Sequence, residues 1–143
     1  MADLNLIITE KITLGGVDKT LLYTQTISGI NYIDNRTLNI TGSSTTTLFS
    51  FSNIPGAGTF VTSSFKYGRV TNKSTTSPVR LLISSSENSM DFLISTGSSF
   101  LLNTSKVSGS DSSTSNFVFK DIISVKAQAS GSSADIEYFI ATT

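Results

Sequence analysis

Few side chains in this 143-residue chain could do chemistry. The acids are scattered, among them Asp18, Asp34, Glu87, Asp91, Asp111 and Asp121. Asp135 and Glu137 alone stand two residues apart, which puts both carboxylates on one face of a strand. Such a pair could serve as the acid and base of a glycosidase, or hold a calcium ion. A solvated strand face is the ordinary reading of the same spacing. The chain has no His, no Cys and no Trp. It therefore lacks the commonest general base, the strongest nucleophile and the usual zinc ligands. A Ser–His–Asp arrangement is impossible, and no Ser–Lys or Asp–Asp signature, EF-hand loop or P-loop is present. Gly15-Gly16 and Gly56-Ala57-Gly58 read as turn glycines. These residues predict no enzyme, no cofactor and no metal site.

Aromatic and basic side chains interleave in Phe65-Lys66-Tyr67-Gly68-Arg69-Val70. On a strand, Phe65, Tyr67 and Arg69 would share a face and could stack on a base or a sugar. Without Trp, however, nine Phe and four Tyr must supply most of the core's bulk, so core packing is the first expectation. Arg69 would then need a carboxylate partner. The sequons at Asn35, Asn39, Asn72 and Asn103 carry little in a chain of which Ser and Thr make up about a third.

Lys and Arg together number 10, as do Asp and Glu, so no net field draws the chain to nucleic acid or anionic lipid. Neutrality also gives little protection against self-association. The length suits one domain with a core that needs neither disulfide nor metal. Met1-Ala2-Asp3 leads straight into Leu4-Asn5-Leu6-Ile7-Ile8-Thr9, with an acid where a signal peptide carries a base. No apolar run is long enough to suggest a helical membrane span.

The elements that must position these side chains are strands. Leu38 and Ile40 alternate with polar residues in Arg36–Thr41. Ile123, Val125, Ala127 and Ala129 alternate with Ser124, Lys126 and Gln128, and Ile136, Tyr138 and Ile140 alternate with Asp135 and Glu137. Asp34-Asn35 reads as a hairpin turn between segments 27–33 and 36–41. Pro55-Gly56 reads as a type II turn, and Pro78 opens a strand over 79–83. Eight to ten strands at this spacing predict an all-β antiparallel sandwich with a jelly-roll-like path. The domain spans 1–143, with residues 1–10 as a candidate N-terminal arm and the Ser-rich stretch 103–116 as a flexible loop.

Several strands are apolar on both faces. Leu48 lies opposite Phe49 and Phe51, Leu82 opposite Leu81 and Ile83, and Leu93 opposite Phe92 and Ile94. Phe139 points away from Ile136, Tyr138 and Ile140. A sandwich buries one face per strand, so the second apolar set must lie under loops or at a subunit interface. The interface candidates are Leu4, Leu6, Ile8, Leu48, Leu82, Leu93 and Phe139.

Leu4–Leu14, Gly56–Phe60, Lys66–Asn72 and the terminal Asp135–Thr143 resemble small all-β, capsid decoration-like structural virion proteins of marine tailed bacteriophages. The resemblance spans most of the chain and carries over no catalytic residue. It implies a structural virion protein, synthesised in the host cytoplasm and decorating or cementing the capsid through protein–protein contacts. The implied partners are copies of itself, a trimer among them, and other virion proteins such as the major capsid protein, with no nucleic acid and no membrane. The alternative is a receptor- or carbohydrate-binding module of a phage fibre, spike or neck, with Tyr23, Tyr32 and Tyr67 as glycan contacts.

Overall fold

The computed structural model describes residues 1–54, 56–108 and 118–143. The chain is all-β. Its strands are β1 (Ala2–Leu14), β2 (Val17–Ile30), β3 (Tyr32–Thr41), β4 (Thr46–Ser52), β5 (Thr59–Val61), β6 (Phe65–Asn72), β7 (Val79–Ser85), β8 (Ser89–Ile94), β9 (Ser99–Leu102), β10 (Lys106–Ser108), β11 (Phe119–Ala129) and β12 (Ser133–Thr142). That is twelve among the described residues, against the eight to ten expected from sequence. The surplus comes from β5 and β10, each three residues long, and from the long pair β1–β2, which forms a sheet of its own.

The other eight strands form the body. One sheet runs β3-β12-β6-β9 and the other runs β4-β11-β7-β8, with β5 added in parallel beside β4 and β10 beside β11. The antiparallel pairs are nested: β3 with β12, β4 with β11, β6 with β9 and β7 with β8. A hairpin folded at β7–β8 and rolled across two sheets gives that order, which is the jelly-roll path. The core lies between the sheets, with Ile40, Phe49, Leu81, Ile83, Val125, Ile136, Tyr138 and Ile140 almost wholly buried. The rings of Phe49 and Tyr138 meet at 5.6 Å across it, and Phe92 and Phe100 meet at 4.9 Å between the two sheets.

Three β-bulges redirect side chains that simple alternation places elsewhere. Phe49 pairs with Val125 and Thr47 with Lys126, so Leu48 is an extra residue. Leu48 and Phe49 therefore both point inward, and Leu48 belongs to the core, not to a surface. In β6, Tyr67 pairs with Ala141 and Phe65 with Thr142, which leaves Lys66 extra. Phe65 then packs edge-on against Phe51 in the core, on the other side from Tyr67. In β11 the extra residue is Ile123, which turns outward while Ile122 turns in.

One expected turn and part of one expected loop also differ. Asp34-Asn35 lies within β3, paired with Ile140 and Phe139, because Asp34 accepts a 2.8 Å hydrogen bond from the Tyr138 hydroxyl and pairs with Arg36. The segments before and after do not pair as a hairpin: β2 and β3 lie in different sheets, separated by Asn31, whose N–H donates to the Thr142 carbonyl. Within 103–116, Lys106–Ser108 forms a strand with Val107 buried, while residues 109–116 of the expected loop lie outside the described residues. Pro55 of the expected Pro55-Gly56 turn also lies outside them.

Asn72 is fully buried at the end of β6, which removes it as a glycosylation acceptor in the folded protein. Its amide nitrogen donates to the Ser77 and Ile94 carbonyls at 2.9 and 3.2 Å, and its oxygen accepts from the Ser74 N–H. Asn72→Ala strands those groups away from water and should cost about 2–4 kcal/mol of stability, read from urea unfolding midpoints. Burial, and donation to Asp34, hold the Tyr138 hydroxyl well above the usual tyrosine range. An acid whose pKa rises on folding contributes stability below its unfolded value, near 10, and loses it as pH climbs past that point. Unfolding free energy should fall above about pH 10, and Tyr138→Phe should flatten part of that fall.

Candidate interaction surface: the β1–β2 ribbon

Strands β1 and β2 pair from Ala2↔Ile30 to Leu14↔Val17, and Gly15-Gly16 closes the hairpin with φ of 59° and 78°. Positive φ at both central residues is the primed turn whose twist matches paired strands. A bulge with Gly29 at φ 81° lies near the base, where β2 turns into β3. The paired register divides the ribbon into two unlike faces. One carries Leu4, Leu6, Ile8, Glu10, Ile12 and Leu14 from β1, opposite Ile27, Gln25, Tyr23, Leu21, Lys19 and Val17 from β2. The other is mostly polar, with Asn5 bonded to Thr26 and Thr13 to Asp18, and has Ile7 and Leu22 as its large apolar members.

The apolar face has two fates along its length. At the base, Leu4, Leu6 and Ile27 pack on Ile30, Tyr67, Phe139 and Ala141, on the outer side of the β3-β12-β6-β9 sheet. The rings of Tyr67 and Phe139 meet there at 6.2 Å. Further out the body offers no cover, and every residue from Thr9 to Thr26 is exposed. Leu21 is 68% exposed, Leu14 72% and Ile12 57%. A lone two-stranded ribbon is marginal in water, and its two free edges leave rows of backbone donors and acceptors open to pairing. This is the largest run of uncovered apolar side chains among the described residues.

The structure places the interface candidates in four settings. Leu4 and Leu6 lie half-buried at the ribbon base, and Phe139 lies beneath them. Ile8 is half-buried at the start of the free part, beside Tyr23. Leu82 and Leu93 face outward on the opposite sheet, where Leu82 lies between Asp91 and Lys126 and Leu93 is 69% exposed beside Arg80. Leu48 is in the core. Sequence reasoning missed Ile12, Leu14, Val17 and Leu21, although their alternation on both sides of Gly15-Gly16 was the available signal.

The glycan candidates do not converge. Tyr67 is 4% exposed, closed off by the ribbon base, so it cannot meet a sugar in the folded protein. Burial also pushes its hydroxyl pKa up, with Arg69 pulling the other way. Tyr23 is exposed on the ribbon. Tyr32 lies at the end of the body from which the ribbon leaves, paired with Thr142 and 6.0 Å from the Phe60 ring, on a cleft of about 270 Å³ lined also by Arg36, Ser64 and Thr143. The carboxylates Asp135 and Glu137 diverge in role as well. Asp135 accepts from Asn39 at 2.7 Å, while Glu137 pairs with Arg69 at 2.6 Å and Lys73 at 3.5 Å. Glu137 is the carboxylate that Arg69 needed. No group of three acidic side chains able to hold a metal occurs among the described residues.

Tyr67→Ala should release the ribbon base, costing about 2–4 kcal/mol and making the β2–β3 junction sensitive to limited proteolysis, with Tyr67→Phe close to wild type. No family model, no curated protein and no solved structure matches this chain.

Proposed function

We propose that this chain is a structural virion protein of a tailed bacteriophage that decorates or cements the capsid through protein–protein contacts. The observation that carries the assembly part of this reading is the ribbon. A jelly-roll body projects a hairpin whose apolar face is uncovered from Glu10 round to Tyr23, and burial against another protein removes that exposure at little conformational cost. The phage assignment is supported by the sequence resemblance of Leu4–Leu14, Gly56–Phe60, Lys66–Asn72 and Asp135–Thr143. The hydroxyl-rich strand faces, on which Arg69 pairs with Glu137 and Arg80 with Asp91, suit close packing of repeated subunits.

A second reading, a receptor- or carbohydrate-binding module of a fibre, spike or neck, is favoured by one feature: Tyr32 and Arg36 on the rim of the cleft at the end of the body. Copy number separates the two. Densitometry of purified virions should find the chain at hundreds of copies per particle if it cements the shell. Tens of copies, with glycan binding lost on Tyr32→Ala, would replace cement by the fibre or neck reading. Absence from virions would remove both.

A further inference from the structure

The free part of the ribbon carries its own complement. Past the base, its apolar face consists of four cross-strand levels: Ile8/Tyr23, Glu10/Leu21, Ile12/Lys19 and Leu14/Val17. Levels two and three each hold one charge, an acid on β1 and a base on β2. Neither Glu10 nor Lys19 takes part in an ion pair among the described residues. Turn a second ribbon end for end about a two-fold axis between those levels, and the first level faces the fourth while the second faces the third. Aliphatic and aromatic side chains then meet at both ends. At the middle, each Glu10 comes to the level of the other copy's Lys19. An isologous contact demands this kind of self-match, residue i meeting j and j meeting i.

We infer that the β1–β2 ribbon pairs face to face with the ribbon of a second copy of this chain, through Ile8, Glu10, Ile12, Lys19, Leu21 and Tyr23. The inference rests on the assembly reading above and names the partner that reading leaves open. Three features of the structure select a second copy over another protein. The charges on the face cancel within one ribbon, as self-pairing needs. The reversed register uses all four uncovered levels and leaves the two covered ones on their own body. The polar face, with its Thr and Asn pairs, is left to solvent. The free face is only about 20 Å by 10 Å, small beside the roughly 800 Å² per partner of a standard interface. Pairing is therefore weak in dilute solution and saturates where copies are held close together.

The absence of Cys makes the test direct. The reversed register sets Ile8 of one copy against Leu14 of the other. Within one copy these lie six residues apart, about 20 Å along the strand, while facing sheets stack only about 10 Å apart, so a short bis-maleimide of about the latter reach bridges two copies but not one. Ile8→Cys with Leu14→Cys should therefore give covalent dimers with that cross-linker, about tenfold more than Ile7→Cys with Thr13→Cys on the polar face. In sedimentation equilibrium the cysteine-free chain should shift from 15.2 kDa towards twice that mass as concentration rises. Glu10→Lys should abolish the shift, and adding Lys19→Glu should restore it. Equal cross-linking from both faces, which edge-to-edge pairing would give, overturns the inference. So does a monomer at every concentration, or indifference to the charge reversal. If pairing fails while virions still carry the chain at full copy number, the assembly reading stands with another virion protein on the ribbon. If pairing holds and virions lack the chain, the assembly reading alone falls.

Discussion

The structure depends on burying one face of every body strand between two sheets. Around Tyr138 and Phe49 that burial is nearly complete, and it is what closes the nested hairpin into a jelly roll. The same constraint explains the polar exceptions inside. Tyr138 can lie there because Asp34 accepts a hydrogen bond from its hydroxyl, and Asn72 because four backbone groups bond its amide. It also explains close contact at one end of the body, where a Cβ on Gly42 would collide with the Gly131 carbonyl. The loops after β3 and β11 meet there with no room for a side chain.

The ribbon is the one element that this constraint does not govern. Only its base takes part in packing, on a second small cluster formed by Tyr67, Phe139 and Ala141 on the outer face of the body. The rest keeps an amphipathic pattern with nothing to bury it against. A folded chain that keeps Ile12, Leu14, Leu21 and Tyr23 in water gains by covering them, which is what the proposed assembly would do.

Much of the fold was legible because period-2 alternation is a direct consequence of the pleat. Ile136, Tyr138 and Ile140 point inward and Asp135 and Glu137 outward, as their spacing dictates. What escaped were the bulges at Leu48, Lys66 and Ile123. An extra residue inverts every face beyond it, yet leaves no mark in composition. Phe65 was thereby set on the wrong side and Leu48 on the wrong surface. Asp34-Asn35 misled for a related reason: a dipeptide that favours turns is held in a strand by the partner its side chain finds across the sheet. The ribbon was half legible. Leu4, Leu6 and Ile8 stood out as interface candidates, but the matching run on β2 is broken by Gln25 and Lys19, and only the register shows that these share its face.

On the proposed function, other protein covers the free ribbon in the assembled particle. Amide hydrogen exchange on the dilute isolated chain and on intact virions tests it directly. The amides of Thr9 to Thr26 should exchange quickly in the isolated chain and be strongly protected in the particle, while those of the body core stay slow in both. Equal exchange of the ribbon in the two states would contradict that assembly.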